Sequence, residues 1–234
     1  PVMLFKIYKL INRNKYDLVH VHTERGRVSY CTIARLSGVK KIITTVHHIF
    51  APIETFIGKI KGLVTIFKRW FIRKIIGAVI VSNSKSGLRN EKKYYKSENF
   101  YIPNWYNHLK YTLPVDDKIR EKLRRELDIG DDSLVFISLG GNWSYKNYNL
   151  IISAISNLGK DTKAIYLQIG PDEDKQLLKL KRELNLKNNV KLIGQVDDVI
   201  PYLYASDVYI MPSSIEGFGV AAVEAMGSGL PAIL

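Results

Sequence analysis

Apolar residues along this chain fall into short continuous runs rather than long alternating ones. Residues 18–22, 41–47, 78–83, 100–103, 134–140, 164–170, 190–194, 208–211 and 231–234 form such runs, many rich in β-branched residues and ended by Gly, His, Asn or Pro. Runs of this length and composition predict strands buried on both faces, the habit of parallel sheets. Stretches with helical spacing lie between them, among them 4–14, 117–127, 147–158, 172–184 and 218–226. The alternation predicts an α/β protein with parallel sheets.

The polar stretch 105–133 interrupts this rhythm and divides the chain. The expected organisation is a first Rossmann-like domain at 1–115, a connection at 116–133 and a second domain at 134–234. The first domain opens on a helix and the second ends inside a strand. Both domains are therefore expected to be incomplete, and the chain a fragment of a longer one.

Composition narrows the class. Among 234 residues, 46% are hydrophobic and 24% charged, as in a globular protein with a sizeable core. No apolar run approaches the ~20 residues that span a bilayer, and the first residues lack the apolar stretch of a signal peptide. The single Cys31 excludes an internal disulfide and a cysteine-based metal cluster, and makes the cytoplasm the expected compartment.

Charge is uneven. Residues 1–117 hold 21 Lys and Arg against 7 Asp and Glu, whereas 118–234 hold 14 against 15, so the whole net charge of +13 sits in the first half. Within it, Lys59 to Lys74 carries six bases and no acid, interleaved with Phe67, Trp70, Phe71 and Ile72. Two readings stand: a segment lying on an anionic membrane surface, or a helix with its apolar face in the core and its lysines solvated.

The chemistry concentrates at 212–231, Pro-Ser-Ser-Ile-Glu-Gly-Phe-Gly-Val-Ala-Ala-Val-Glu-Ala-Met-Gly-Ser-Gly-Leu-Pro. Glu216 is expected on a loop, and Glu224 about two turns into the helix that follows. Gly217, Gly219, Ala221 and Ala222 keep the loop and first turn thin enough for a ligand to reach backbone N–H groups. A helix start favours anions, and a carboxylate, being acceptor-only, suits sugar hydroxyls. The combination reads as a nucleotide-sugar site. Upstream, the run 134–139 leads into Gly140-Gly141 and then Lys146-Asn147 at an expected helix start. Glycines allow close approach to a phosphate, and Lys146 offers it a point charge. Neither the Gly-x-Gly-x-x-Gly fingerprint nor a Walker-type loop occurs.

Taken together these residues resemble the retaining GT-B glycosyltransferases of family 4. Asp17-Leu18-Val19-His20-Val21-His22, Thr45-Val46-His47, Val81-Ser82-Asn83, Ile102-Pro103-Asn104, Lys146-Asn147 and the Glu216-to-Glu224 motif follow that family's order. The resemblance implies two Rossmann-like domains facing across a cleft, and transfer of a hexose to a glycan or polyprenyl-linked acceptor in surface polysaccharide synthesis. It implies that Glu216 takes the donor sugar's hydroxyls, with backbone N–H groups from Phe218, Gly219 and Val220. Glu224 would hold the ribose diol, Lys146 and the Gly140–Gly141 turn the diphosphate, and His47 would face the acceptor. No metal or other cofactor is implied, and no nucleic acid. The basic first half would place the enzyme on the cytoplasmic face of the plasma membrane.

One position departs from the family. An arginine is usual five residues before the lysine, and here Gly141 stands there. His20 and His22 read more simply as packed strand-end residues, and His48 could exchange roles with His47. Asp172-Glu173-Asp174 reads as a helix start complementing the dipole rather than a metal motif. Other sugar-nucleotide enzymes of the same architecture are an alternative function, and a basic anionic-surface module a more distant one.

Overall fold

The computed structural model describes residues 2–47, 55–112, 116–158, 162–171 and 175–234. His48 and the acidic triplet at 172–174 lie outside the described residues. The chain divides into two compact units, Pro1–Asn104 with Glu216–Phe218, and Trp105–Ile215 with Gly219–Leu234.

The first unit runs α1 (Val2–Asn14), β1 (Leu18–Val21), α2 (Arg27–Leu36), β2 (Lys41–Val46), α3 (Phe56–Lys74), β3 (Val79–Ser82), α4 (Lys85–Tyr95) and β4 (Phe100–Tyr101). Its strands pair in parallel in the order β1-β2-β3-β4, with Leu18 opposite Lys41 and Ile43 opposite Val79. Ile42, Val46 and Ile80 from the sheet pack with Cys31, Ala34 and Ile72 from the helices. Burial of each Val or Ile contributes about 1.5–3 kcal/mol. Cys31 is fully buried, and burial pushes its thiol up to about 11.

A charge network supports this core. The buried Arg69 of α3 grips Glu91 of α4 through two hydrogen bonds of 2.7 and 2.8 Å. Arg27, heading α2, pairs with Glu24 and donates to the Thr45 carbonyl at 3.0 Å. Removing one member would leave a buried charge uncompensated, which is strongly destabilising.

Helix α3 is inverted relative to an ordinary surface helix. Its buried positions are Gly58, Gly62, Arg69 and Ile72, while Phe56, Ile57, Ile60, Leu63, Val64, Phe67 and Trp70 are exposed. The reading of this segment as a helix with its apolar face in the core is therefore corrected. The only base it buries is Arg69; Lys59, Lys61, Lys68 and Lys74 flank the exposed apolar face.

The second unit runs α5 (His108–Tyr111), α6 (Asp117–Glu126), β5 (Leu134–Leu139), a 3₁₀ turn (Ser144–Lys146), α7 (Tyr148–Asn157), β6 (Ala164–Ile169), α8 (Lys175–Glu183), β7 (Val190–Gly194), α9 (Ile200–Ala205), β8 (Val208–Ile210), α10 (Val220–Gly227) and β9 (Ala232–Ile233). The parallel order is β7-β6-β5-β8-β9. All six residues of β6 are buried, as its unbroken apolar run requires. The stretch 105–133 belongs to this unit through α5 and α6. Asp207 fastens α6 to the sheet: Arg120 and Arg124 donate to its two oxygens at 2.6 and 2.8 Å, and the Val135 N–H donates at 2.7 Å.

Each of the nine apolar runs contains a strand, most of them one or two residues shorter than the run. Most of the residues trimmed away are terminal His, Asn, Gly and Pro, with Ala78, Ile102, Met211 and Leu234 also outside the strands.

Candidate functional site

In the second unit the chain passes outward from β5 to β6 and β7, then returns to lay β8 on the other side of β5. That reversal is a topological switch point, where open α/β sheets form a crevice outside the carboxyl ends of their strands. The loops that leave β5 and β8 are the two segments singled out by sequence.

After β5, Gly140 turns with φ of 124°, a conformation other residues rarely adopt. Its carbonyl accepts from the Gln168 side chain at 2.8 Å, and the Tyr148 hydroxyl donates to the Leu139 carbonyl at 3.2 Å. Gly170 crosses so closely that a Cβ there would come within 2.1 Å of the Gly140 oxygen. Backbone held this firmly can present N–H groups to a ligand without further ordering. Gly141 is not in a left-handed conformation, and a Cβ there would meet the Trp143 ring nitrogen at 3.3 Å. The backbone conformation thus permits a side chain at the position where the family carries arginine, once the Trp143 ring gives by a few tenths of an ångström.

Lys146 closes the 3₁₀ turn, and helix α7 begins at Tyr148, later than the Lys-Asn start expected from sequence. The intervening Asn147 is left-handed, with φ 54° and ψ 32°. Asn tolerates that conformation better than other residues that carry a Cβ. The Asn147 amide donates to the Pro212 carbonyl at 3.0 Å, and the Ser214 N–H donates to the Tyr145 carbonyl at 2.9 Å. Two hydrogen bonds thus stitch the Lys146 turn to the loop leaving β8. Lys146 itself is half-buried, its Nζ 5.8 Å from the centre of the Tyr145 ring.

The second loop ends at Gly219, left-handed with φ 72°, which caps α10 without a side chain. The Val220 and Ala221 N–H groups head the helix, where the dipole favours an anion. Because α10 starts at Val220, Phe218 and Gly219 are loop. Glu224 therefore stands one turn into the helix rather than two. It is half-buried, and the Tyr111 phenol of α5 lies close enough to feel its charge. Burial first, and then the nearby Glu224 carboxylate, push the Tyr111 hydroxyl up to about 12. Nothing in the sequence marks Tyr111 among 14 tyrosines.

Glu216, Gly217 and Phe218 group with the first unit and are half-buried. There the Ser86 hydroxyl donates to the Gly217 carbonyl at 3.2 Å, and a Cβ on Gly217 would come within 2.6 Å of the His47 carbonyl.

The first unit gathers His20, His22 and His47 where β1 and β2 end. His20 Nε2 lies 2.7 Å from the Thr45 hydroxyl, and the His20 and His22 ring centres are 3.9 Å apart. His22 Nδ1 lies 3.0 Å from His47 Nε2, and the Asn83 amide nitrogen lies 3.2 Å from His47 Nδ1. These contacts hold the His47 ring between Asn83 and His22 and couple the tautomers of the two histidines. Burial, and then the charges of His22 and His47, lower the His20 pKa. The sequence reads His20 and His22 as packed or hydrogen-bonded strand-end residues, and the structure places His20 against Thr45 and His22 against His47. Among the described residues, no group of three or more His, Cys, Asp or Glu is placed to hold a metal ion.

Comparison with known proteins agrees with this geometry. The family profile "Glycosyl transferases group 1" matches residues 119–234, and "Glycosyl transferase 4-like" matches residues 2–71. The UDP-Gal:alpha-D-GlcNAc-diphosphoundecaprenol alpha-1,3-galactosyltransferase of Escherichia coli is 31% identical, over 99% of this chain and 60% of its own length. The O-antigen biosynthesis glycosyltransferase WclY of Escherichia coli is 25% identical, over 94% of this chain and 61% of its own. The crystal structure of Anabaena HepE in complex with UDP and glucose superposes with a TM-score of 0.81 at 19% identity, covering 98% of this chain and 61% of that one. The chain thus spans about 60% of the length of these relatives. With glycosyltransferase profiles over both halves and the parallel sheets of the superposed structures, this chain belongs to the group 1 glycosyltransferases of family 4 and has their GT-B fold.

Proposed function

We propose that the protein moves a hexose from a nucleotide-diphosphate sugar to a glycan or polyprenyl-linked acceptor, retaining the anomeric configuration and using no metal. The observation that carries this reading is the pair of loops at the β5–β8 switch point. The Lys146 turn and the loop leading to α10 are stitched together, so a cationic side chain and a helix start serve one place. A diphosphate suits both, and fixed dipoles aimed at a leaving group's charge stabilise the transition state. Glu224, one turn into that helix, holds the ribose diol. Glu216 takes the hexose hydroxyls, with N–H groups from Phe218, Gly219 and Val220.

In this reading the bond from C1 to the diphosphate oxygen breaks first, leaving an oxocarbenium-like sugar against the diphosphate. The acceptor oxygen attacks C1 on the same face and gives its proton to the departing phosphate oxygen. His47, oriented through His22 and Asn83, faces the acceptor. The relatives' names point the same way: one transfers galactose from UDP onto a diphosphoundecaprenol-linked sugar, and another was crystallised with UDP and glucose.

The inverted helix α3 supports peripheral attachment to the inner face of the plasma membrane. An exposed row of Phe56, Leu63, Phe67 and Trp70 flanked by lysines suits an anionic lipid surface, where apolar side chains insert and bases meet headgroups. The test of the catalytic reading is Glu216→Ala in the full-length protein, which should abolish transfer from its nucleotide sugar. Turnover equal to the wild type would sink it.

A further inference from the structure

The chain from Gly141 to Lys146 is tied into one turn by its own backbone. The Trp143 N–H donates to the Gly141 carbonyl at 3.0 Å, and the Trp143 carbonyl accepts from the Lys146 N–H at 2.8 Å. Trp143 heads the 3₁₀ turn that Lys146 closes. Residues three apart in such a turn share a face, so the indole and the ammonium leave the backbone on one side. Trp143 is 63% exposed, and among the described residues its indole N–H has no hydrogen-bond partner. A ring this open contributes little to the core, so packing does not explain it.

Its nitrogen edge borders the place where Gly141 lacks a side chain. The position a Cβ would take there lies 3.3 Å from the indole nitrogen, 3.8 Å from the adjoining ring carbon and 3.7 Å from Pro171 Cγ. An oxygen entering that space would stand at about the length of an N–H···O hydrogen bond from the indole. A carbon there would block the donor. We infer that Gly141 and Trp143 act as a pair in binding the leaving diphosphate: the glycine admits a phosphate oxygen, and the indole N–H donates to it. This rests on Lys146 as the diphosphate ligand. The pair supplies a neutral donor where the family places a second cation. An indole is donor-only, which suits an oxygen that can only accept, and a bond to a charged acceptor is of the stronger kind.

The experiment titrates the full-length protein with UDP, GDP and ADP in a calorimeter and carries the tightest forward with its nucleoside monophosphate. Thermal melting confirms that each variant folds. Trp143→Phe keeps an aromatic ring and removes the N–H, whereas Gly141→Ala keeps the N–H and fills the space before it. Each should weaken the diphosphate about tenfold and leave the monophosphate unchanged, as for one hydrogen bond to a charged group. The double variant should lose no more than either single one, because both remove the same bond. Unchanged diphosphate affinity in Trp143→Phe, losses that multiply in the double variant, or a monophosphate weakened as much as the diphosphate would each overturn the inference. A wild type that binds none of the three diphosphates, or binds one no more tightly than its monophosphate, would instead remove Lys146 as the diphosphate ligand, and the inference with it.

Discussion

Asn147 offers a test of how the diphosphate lysine is held. Its backbone sits at φ 54° and its amide donates to Pro212 at 3.0 Å, so it performs two separable tasks. Alanine fails at both. Left-handed backbone costs a Cβ-bearing residue about 1–2 kcal/mol, and the lost hydrogen bond about 1 kcal/mol, giving about 2–3 kcal/mol for Asn147→Ala. Glycine keeps the conformation and loses only the bond, plus about 0.5–1 kcal/mol of extra chain entropy. Asn147→Gly should therefore be milder by about 1 kcal/mol, which for a protein of this size separates the melting temperatures by about 2–4 °C. Calorimetric unfolding of both variants gives the order directly. UDP titration should rank them in the same order, because Lys146 precedes the strained residue. If alanine is tolerated as well as glycine, the left-handed turn does not explain the residue that follows the lysine.

Three further outcomes follow from the geometry. Gly141→Arg restores the family's second cation on backbone that accepts a side chain, and should tighten UDP binding about three- to tenfold in calorimetry; an unchanged or weaker constant would mean that the Trp143 ring denies the new guanidinium its place. Burial lowers the His20 pKa below the value near 6.5 of an unfolded chain, so the unfolded state takes up the proton first. The His20 contribution is intact above that value and is lost as pH falls through it, so melting temperature should drop below about pH 6.5 and His20→Gln should flatten the drop; equal pH profiles would dismiss the burial effect. On vesicles containing phosphatidylglycerol, Trp70 emission should shift to the blue, and Phe67→Ser should cut partitioning about tenfold; equal binding to neutral phosphatidylcholine vesicles would remove the electrostatic part of this reading.

The strands were legible because each is buried on both sides and so leaves an uninterrupted apolar run. The ends of those runs also showed where chemistry would sit, since His47, Asn83 and Gly140 are what follow β2, β3 and β5. Helix α3 was ambiguous for a physical reason. Periodicity places Phe67 and Trp70 on one face, but it does not say whether that face meets protein or solvent. The start of α10 was misplaced because Gly219 adopts a cap conformation that leaves no mark in the hydrophobic pattern. Contacts that join distant segments were not legible at all. Nothing near Asp207 announces Arg120, Arg124 and the Val135 N–H, and nothing near Glu224 announces Tyr111. Lys146-Asn147 was recognisable as a pair, whereas its cause, a left-handed residue between a 3₁₀ turn and a helix, needed the backbone.

The burial of Cys31 has a practical consequence for studying the chain in solution. With its sulfur enclosed and its thiol held near 11, it stays protonated and shielded under ordinary labelling conditions. The protein is therefore silent toward maleimides and similar reagents without any need to remove the native cysteine. A cysteine installed at the exposed Trp143 would be the one thiol to react, and a fluorophore attached there would report on the loop after β5 against a dark background.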